Sequence, residues 1–294
     1  MFERLREAGV PDAPGDAPLP GKPSTQADVE SGWFAYWMAQ LHSAPLPHRK
    51  LWEFAWILQN LHAHGMLREG ARALGFGCGE EPLPSYFAAR DMSVTVTDLA
   101  PEEVAGRGWA ETGQHSADLG KVRKPYLVDE ATFAERVSLE YVDMNAIPEG
   151  LAGLYDVCWS VCALEHLGSV RNGLTFIERS LDTLRPGGLA LHTTEFNFTE
   201  TERTVDNHPT VLFLAKHFEE LAGRLRAQGH EVEPLDFDVG LDPLDTFIDV
   251  PPYDFDLYLA HSAAGEAGYK PGHLKMSVDG FPSTCFGFKV RKAG

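Results

Sequence analysis

Ala73-Leu74-Gly75-Phe76-Gly77-Cys78-Gly79-Glu80-Glu81 is the stretch on which the reading of this 294-residue chain turns. An apolar run ending at Leu74 leads into glycines at 75, 77 and 79. A Pro-flagged helical stretch follows, and Met92-Ser93-Val94-Thr95-Val96-Thr97-Asp98 then alternates as a strand that ends in a carboxylate. This is a β-turn-α-β unit. Glycines in such a turn let the backbone approach a ligand, and an acid at the tip of the next strand can hold two vicinal ribose hydroxyls. The spacing points to a nucleoside-cofactor cradle.

Downstream, the alternation continues. Val137-Ser138-Leu139-Glu140-Tyr141-Val142-Asp143 reads as a third strand ending in an acid, and Leu154-Tyr155-Asp156-Val157-Cys158-Trp159-Ser160 as a fourth, apolar enough to be central. Ser169 caps a helix over 169–184, Arg185-Pro186-Gly187-Gly188 stops it, and Leu189 to Thr194 is the fifth strand. Residues 195–209 are polar and irregular, and 211–227 return to a helix. His273 to Val278, the turn Asp279-Gly280, and Cys285 to Val290 read as a hairpin. The roughly 33 residues 104–136 exceed what one βα unit needs, so an insertion is expected near the strand ends.

Upstream, five prolines within 8–26 mark 1–26 as a tail or surface strap. Two amphipathic helices follow, over 27–43 and 49–64, which set off 27–69 as a helical cover. They cover a sheet edge, or Trp33, Tyr36 and Trp37 lid a substrate pocket. The expected fold is α/β: a doubly wound, seven-stranded, mostly parallel sheet over 70–294, closed by a C-terminal antiparallel β-hairpin and preceded by the helical cover.

Taken together, residues 70–293 resemble the class I S-adenosylmethionine-dependent methyltransferases. Ala73 to Gly79 is similar to that family's glycine motif, Asp98 stands where its ribose-binding acid does, and Asp143-Met144 where an acid and an apolar neighbour hold adenine. Leu184 to Gly188 is similar to its turn before strand five, and Asp156 to Ser160 followed by Leu164-Glu165-His166-Leu167 to a stretch common in its small-molecule members. The resemblance implies S-adenosylmethionine as cofactor, held by Gly75, Gly77, Gly79, Glu80, Glu81, Asp98, Leu99, Asp143, Met144 and Ser160. Two positions depart from the pattern. Gly75 stands where an acid is common, and Glu81 where a third glycine is, so Glu80 or Glu81 would take over the contact to the methionine ammonium. An acid pair beside the turn would repel a pyrophosphate and suit a cofactor carrying a sulfonium and an ammonium, which separates this chain from a dinucleotide binder.

Methyl transfer from a sulfonium is an in-line displacement in which the protein aligns the nucleophile and helps remove its proton. His166 is the candidate base, with Glu165 beside it, because imidazole titrates near neutrality; the alternative is a histidine that caps the next turn. Glu165 and His166 also resemble the Glu-His pair with which some RNA-end methyltransferases hold a divalent ion, although Cys162 replaces their further glutamate. His192, Glu195, Asn197, Asp206 and His208 could complete such a metal set. Asp249-Val250-Pro251-Pro252-Tyr253 reads as a rigid pocket wall or a stiff loop.

The expected activity is methylation, most readily at oxygen, of a small-molecule or sugar-like acceptor. N- or C-methylation of a small metabolite, and a non-catalytic S-adenosylmethionine-binding or protein-interaction module, are the alternatives. A net charge of -18 disfavours nucleic acid as the main partner, since counterion release needs clustered Lys and Arg. No apolar run approaches the ~18 residues of a membrane span, and residues 1–7 lack a secretory apolar core, so no membrane partner is expected and the default location is cytoplasmic. The four cysteines, Cys78, Cys158, Cys162 and Cys285, have neither zinc-ribbon nor disulfide-scaffold spacing and read as reduced thiols.

Overall fold

The computed structural model describes residues 9–100, 119–253 and 272–294. Five strands run parallel in the order β4 (Val137–Tyr141), β3 (Ser93–Asp98), β2 (Arg72–Phe76), β5 (Tyr155–Val161), β6 (Leu184–Asn197). β10 (Phe281–Arg291) continues the sheet antiparallel to β6, and β9 (Lys275–Val278) pairs with its far side. These seven are the strands expected from the pattern. Three two-residue strands add to them: β8 (Ile248–Asp249) beside β9, and β1 (Lys22–Pro23) and β7 (Glu231–Val232), both against β10. The hairpin turn is at Asp279-Gly280, both with positive φ, as a two-residue turn matched to strand twist requires.

Apolar clusters fill both faces. One holds Trp52, Trp56, Phe87 and Trp159 beneath the N-terminal helices, and the other holds Phe176, Phe213, Phe218 and Phe286 beneath the helices Val170–Ser180 and Ala215–Ala227. The helix Arg49–Ala63 is buried from Trp52 through Leu61, all round its axis, because it lies between the sheet and the residues before it. Those residues are tied down by ion pairs and hydrogen bonds. Lys22 reaches Asp28 at 2.8 Å, Trp52 Nε1 donates to Asp28 at 2.9 Å, and Lys289 Nζ donates to the carbonyl of Leu19 at 3.0 Å.

The structure departs from the pattern in three places. The helix expected over 27–43 is two, Gln26–Val29 and Gly32–Gln40, because Ser31 restarts it: its Oγ accepts the Phe34 N–H while donating to the Asp28 carbonyl. β6 runs on through Asn197. Glu195 and Asn197 are polar, yet both continue the ladder against β10, opposite Cys285 and Ser283, with Glu195 Oε2 accepting from Ser283 Oγ at 2.8 Å. The helix expected from 211 starts at Ala215, since Phe213 instead pairs with Phe196. Of the expected insertion, 119–136 holds the helices Leu119–Val122 and Glu130–Arg136, and 104–118 lies outside the described residues.

Candidate functional site

The chain crosses from β4 back to β5 between its first three and next two parallel strands, so strand order reverses at the β2/β5 boundary. In open α/β sheets ligands bind at that point, beyond the carboxyl ends of the strands. A cavity of about 410 Å³ opens there. Its wall comes from each strand end in turn: Gly77, Gly79, Glu80 and Glu81 after β2, Asp98 and Leu99 at β3, Asp143 and Met144 after β4, and Cys162, Ala163 and His166 after β5. Lys50 and Phe54 close it from the helix Arg49–Ala63.

Gly77 has φ of +59° and a side chain there would meet Ala163 Cβ at 2.9 Å and Met144 Sδ at 3.4 Å, so a bare backbone keeps the cavity open. Gly75 has a different job. A Cβ there would strike Cys78 Sγ and the Trp159 ring, and Gly75 does not line the cavity; its small size seats Trp159 against β2. Trp159 Nε1 then donates to Glu81 Oε1 at 2.5 Å. The indole thus fixes the Glu81 carboxyl at the cavity wall, two positions after Gly79. Burial, against the opposing hydrogen bond from Trp159 and the charge of Lys50, pushes the Glu81 carboxyl up to about 8. Glu80 is more exposed and faces Lys121 at 3.8 Å. Asp98 is 5% exposed and accepts the Leu99 N–H at 2.9 Å.

Ser160 is not a cavity residue. It is fully buried on the other face, bonded to His192 Nδ1 at 2.8 Å, while His192 Nε2 meets Ser180 Oγ at 3.0 Å. His192, whose pKa burial lowers to about 3, is therefore a neutral core histidine with both ring nitrogens engaged, and it stands apart from the metal set proposed for it. His208 is exposed, near Thr210 and Asp279, and also outside that set. His166 does line the cavity. Its Nδ1 lies 3.0 Å from the Pro209 carbonyl, which can only accept, so Nδ1 carries the proton and Nε2 is the basic nitrogen, 4.0 Å from Glu165 Oε1. Glu165 itself is buried behind the wall, accepting from Thr194 Oγ1 at 3.0 Å, and burial raises its pKa.

Of the expected metal ligands, Glu165 and Glu195 do converge, joined by Cys162: one ligand atom from each lies within 4.8 Å of the others. The place between them is taken. Arg49 Nη1 bonds Glu195 Oε1 and lies 3.6 Å from Cys162 Sγ. With a guanidinium in the midst of the donors, the residues as arranged do not fit a divalent ion. Asp249 and Tyr253 are not cavity residues either. Asp249 Oδ2 holds His273 Nδ1 at 2.5 Å, and Tyr253 donates to the Ser277 carbonyl at 3.1 Å. Trp33, Tyr36 and Trp37 do not line the cavity; Trp37 Nε1 donates to Gln59 Oε1 at 2.8 Å and its ring packs against Tyr86. Lys50 and Phe54 were missed by sequence reasoning. They sat in a helix read only as cover, and the one available signal was the Arg49-Lys50 pair opening an otherwise apolar face.

No family model matches the chain, and no curated protein matches it. Among solved structures it is similar to the [4+2]-cyclase SpnF, with 18% identity over 80% of this chain and 83% of that one and a TM-score of 0.48. It is also similar to S-adenosylmethionine dependent methyltransferases from Mesorhizobium loti (14% identity, 81% and 97% coverage, TM-score 0.43) and Aquifex aeolicus (16%, 76% and 84%, 0.39). These are likenesses of fold. The sheet order runs β4-β3-β2-β5-β6-β10-β9, with β10 antiparallel to both β6 and β9.

Proposed function

We propose that this chain is an S-adenosylmethionine-dependent methyltransferase acting on oxygen of a small-molecule or sugar-like acceptor. The observation that carries the reading is the charge pattern of the cavity wall. Among the described residues, acids come from three successive strand ends, and one lysine, Lys50, comes from the helix above. A ligand with two hydroxyls, a purine, and a tail bearing an ammonium, a carboxylate and a sulfonium matches that order. Asp98 would hold the ribose hydroxyls, Asp143 and Met144 the adenine, Glu81 the ammonium and Lys50 the carboxylate. Lys50 suits its part: burial works against its charge, but Cys162 and Glu53 hold it above the ordinary lysine range.

The cofactor, when bound, supplies an electrophilic methyl group. The chain's own contribution is alignment and proton removal. His166 is oriented by the Pro209 carbonyl and by Thr210 Oγ1 at 3.2 Å, and Nε2 is the nitrogen that would accept a proton from an acceptor hydroxyl. Glu165 beside it would stabilise the imidazolium that results. A resident metal has no part in this route, because Arg49 stands among its donors.

Titration calorimetry with S-adenosylmethionine and S-adenosylhomocysteine tests the reading. Both ligands are expected to bind at about one equivalent, and the absence of any heat from either would end it.

A further inference from the structure

Behind the Cys162 wall of the cavity, four groups from four parts of the chain meet. Cys162 follows β5 directly with φ of +45°, a backbone state that residues other than glycine rarely adopt. Glu165 lies on the short turn after it, Glu195 near the end of β6, and Arg49 in the first turn of the helix Arg49–Ala63. Each carboxylate is held at one oxygen by a hydroxyl: Glu165 Oε2 by Thr194, and Glu195 Oε2 by Ser283 at 2.8 Å. Their Oε1 atoms and the thiol are what remain to converge, and Arg49 Nη1 is placed on Glu195 and Cys162. Arg49 Nε is buried and makes no hydrogen bond.

We infer that Arg49 is the resident cation of a Cys162–Glu165–Glu195 site, standing where these donors would otherwise take a divalent transition-metal ion. A thiolate with two carboxylates, and an imidazole 4.0 Å from one of them, is a donor set for zinc or cobalt. The guanidinium keeps it closed. It carries fixed charge at any pH the protein meets and cannot be extracted by a chelator. The surroundings sustain that charge: burial opposes it, but Glu195, then Cys162 and Glu53, hold the group above its ordinary range. Taking Arg49 away leaves the buried Glu195 carboxylate without its ion pair, and a metal ion, binding with loss of the Cys162 thiol proton, is a species that compensates it. Cys162 also lines the cavity, but the inference does not rest on the cofactor reading, since it needs only the metal and not S-adenosylmethionine to be tested.

The test uses Co²⁺ alone on the full chain, wild type against Arg49→Ala and Arg49→Met, at pH 7.5 after chelator treatment. A thiolate-to-cobalt absorption band in the near ultraviolet reports Cys162 as ligand. The wild type is expected to show no band. Either variant is expected to take up about one equivalent, roughly 100-fold more tightly than the wild type, and to melt higher with the ion. The band is expected to vanish in Arg49→Ala with Cys162→Ser. A variant that folds only when Co²⁺ is added supports the inference equally. A stoichiometric band in the wild type would overturn it, as would a band that survives Cys162→Ser. So would variants that fold but bind no better than the wild type, or that stay unfolded with the metal present.

Discussion

Glu81→Gln separates the stability of the empty protein from its affinity for a cationic ligand. Burial raises the Glu81 carboxyl from an ordinary 4.5 to about 8, so at pH 9 the folded chain holds a charge that its surroundings oppose. Below about pH 4.5 the group is protonated in both folded and unfolded states. Between there and about 8 the unfolded chain gives up its proton first, so stability falls as pH rises and levels off above the folded pKa. At about 1.4 kcal/mol per pH unit, the full cost is on the order of 4 kcal/mol. Glutamine keeps an oxygen to accept from Trp159 Nε1 and carries no charge. The variant is therefore expected to melt higher than the wild type at pH 9, with the gap closing towards pH 5. Its affinity for S-adenosylmethionine should move the other way. A hydrogen bond to a charged group is worth about 1.5–3 kcal/mol, which is roughly a 10- to 100-fold loss on neutralisation. Relative to Glu81→Gln, wild-type affinity should climb with pH until about 8. Scanning fluorimetry and calorimetry from pH 5 to 9 measure both effects. Parallel melting curves across that range, or equal affinity in the two proteins at pH 9, would show that Glu81 is neither the strained acid nor the ammonium partner.

Three further outcomes follow from the same wall. His166→Asn is expected to lower methyl transfer by at least 100-fold while leaving the dissociation constant for S-adenosylhomocysteine within about threefold, as removal of a general base requires; a comparable loss of affinity would assign His166 to binding instead. Asp98→Asn should weaken S-adenosylmethionine and S-adenosylhomocysteine alike by roughly tenfold, because both carry the ribose, and calorimetry giving unequal losses would move Asp98 to the sulfonium end. Gly77→Ala should cost about 1 kcal/mol or more in denaturant unfolding and abolish cofactor binding, since the backbone has φ of +59° and the added methyl meets Ala163 at 2.9 Å; a variant that binds normally would show that the turn yields.

How much of this was legible depends on the range of the contact. The glycine turn, Asp98 and Asp143 announce themselves because strand period and strand end are local properties, and fold topology then carries those ends to one cavity. Gly75 shows the limit of that logic. Its spacing fits the turn, but its role is set by Trp159, a neighbour only through the β2–β5 ladder. Ser160 and His192 look like site residues for their chemistry, yet one strand residue either way decides which face they occupy, and both fall on the face away from the cavity, bonded to each other. Arg49 was hidden for a stronger reason. Its partners Cys162 and Glu195 are more than a hundred positions away, and the first turn of an amphipathic helix is where a solvated Arg-Lys pair is ordinarily expected.

β10 carries a consequence for how the chain is made. It lies between β6 and β9, and the segment around Lys22–Pro23 clips to it, with Ser24 Oγ 2.8 Å from Thr284 Oγ1 across 260 positions of sequence. A ribosome delivers residues 281–291 after everything they join. Until then β6 keeps an open hydrogen-bonding edge and the strap has nothing to fasten to, so the sheet is closed by a keystone that arrives late. Such long-range closure is slow, and a nascent chain of this design waits with a bare strand exposed. The longer residues 281–291 take to emerge after β6, the longer that edge is open to mispairing.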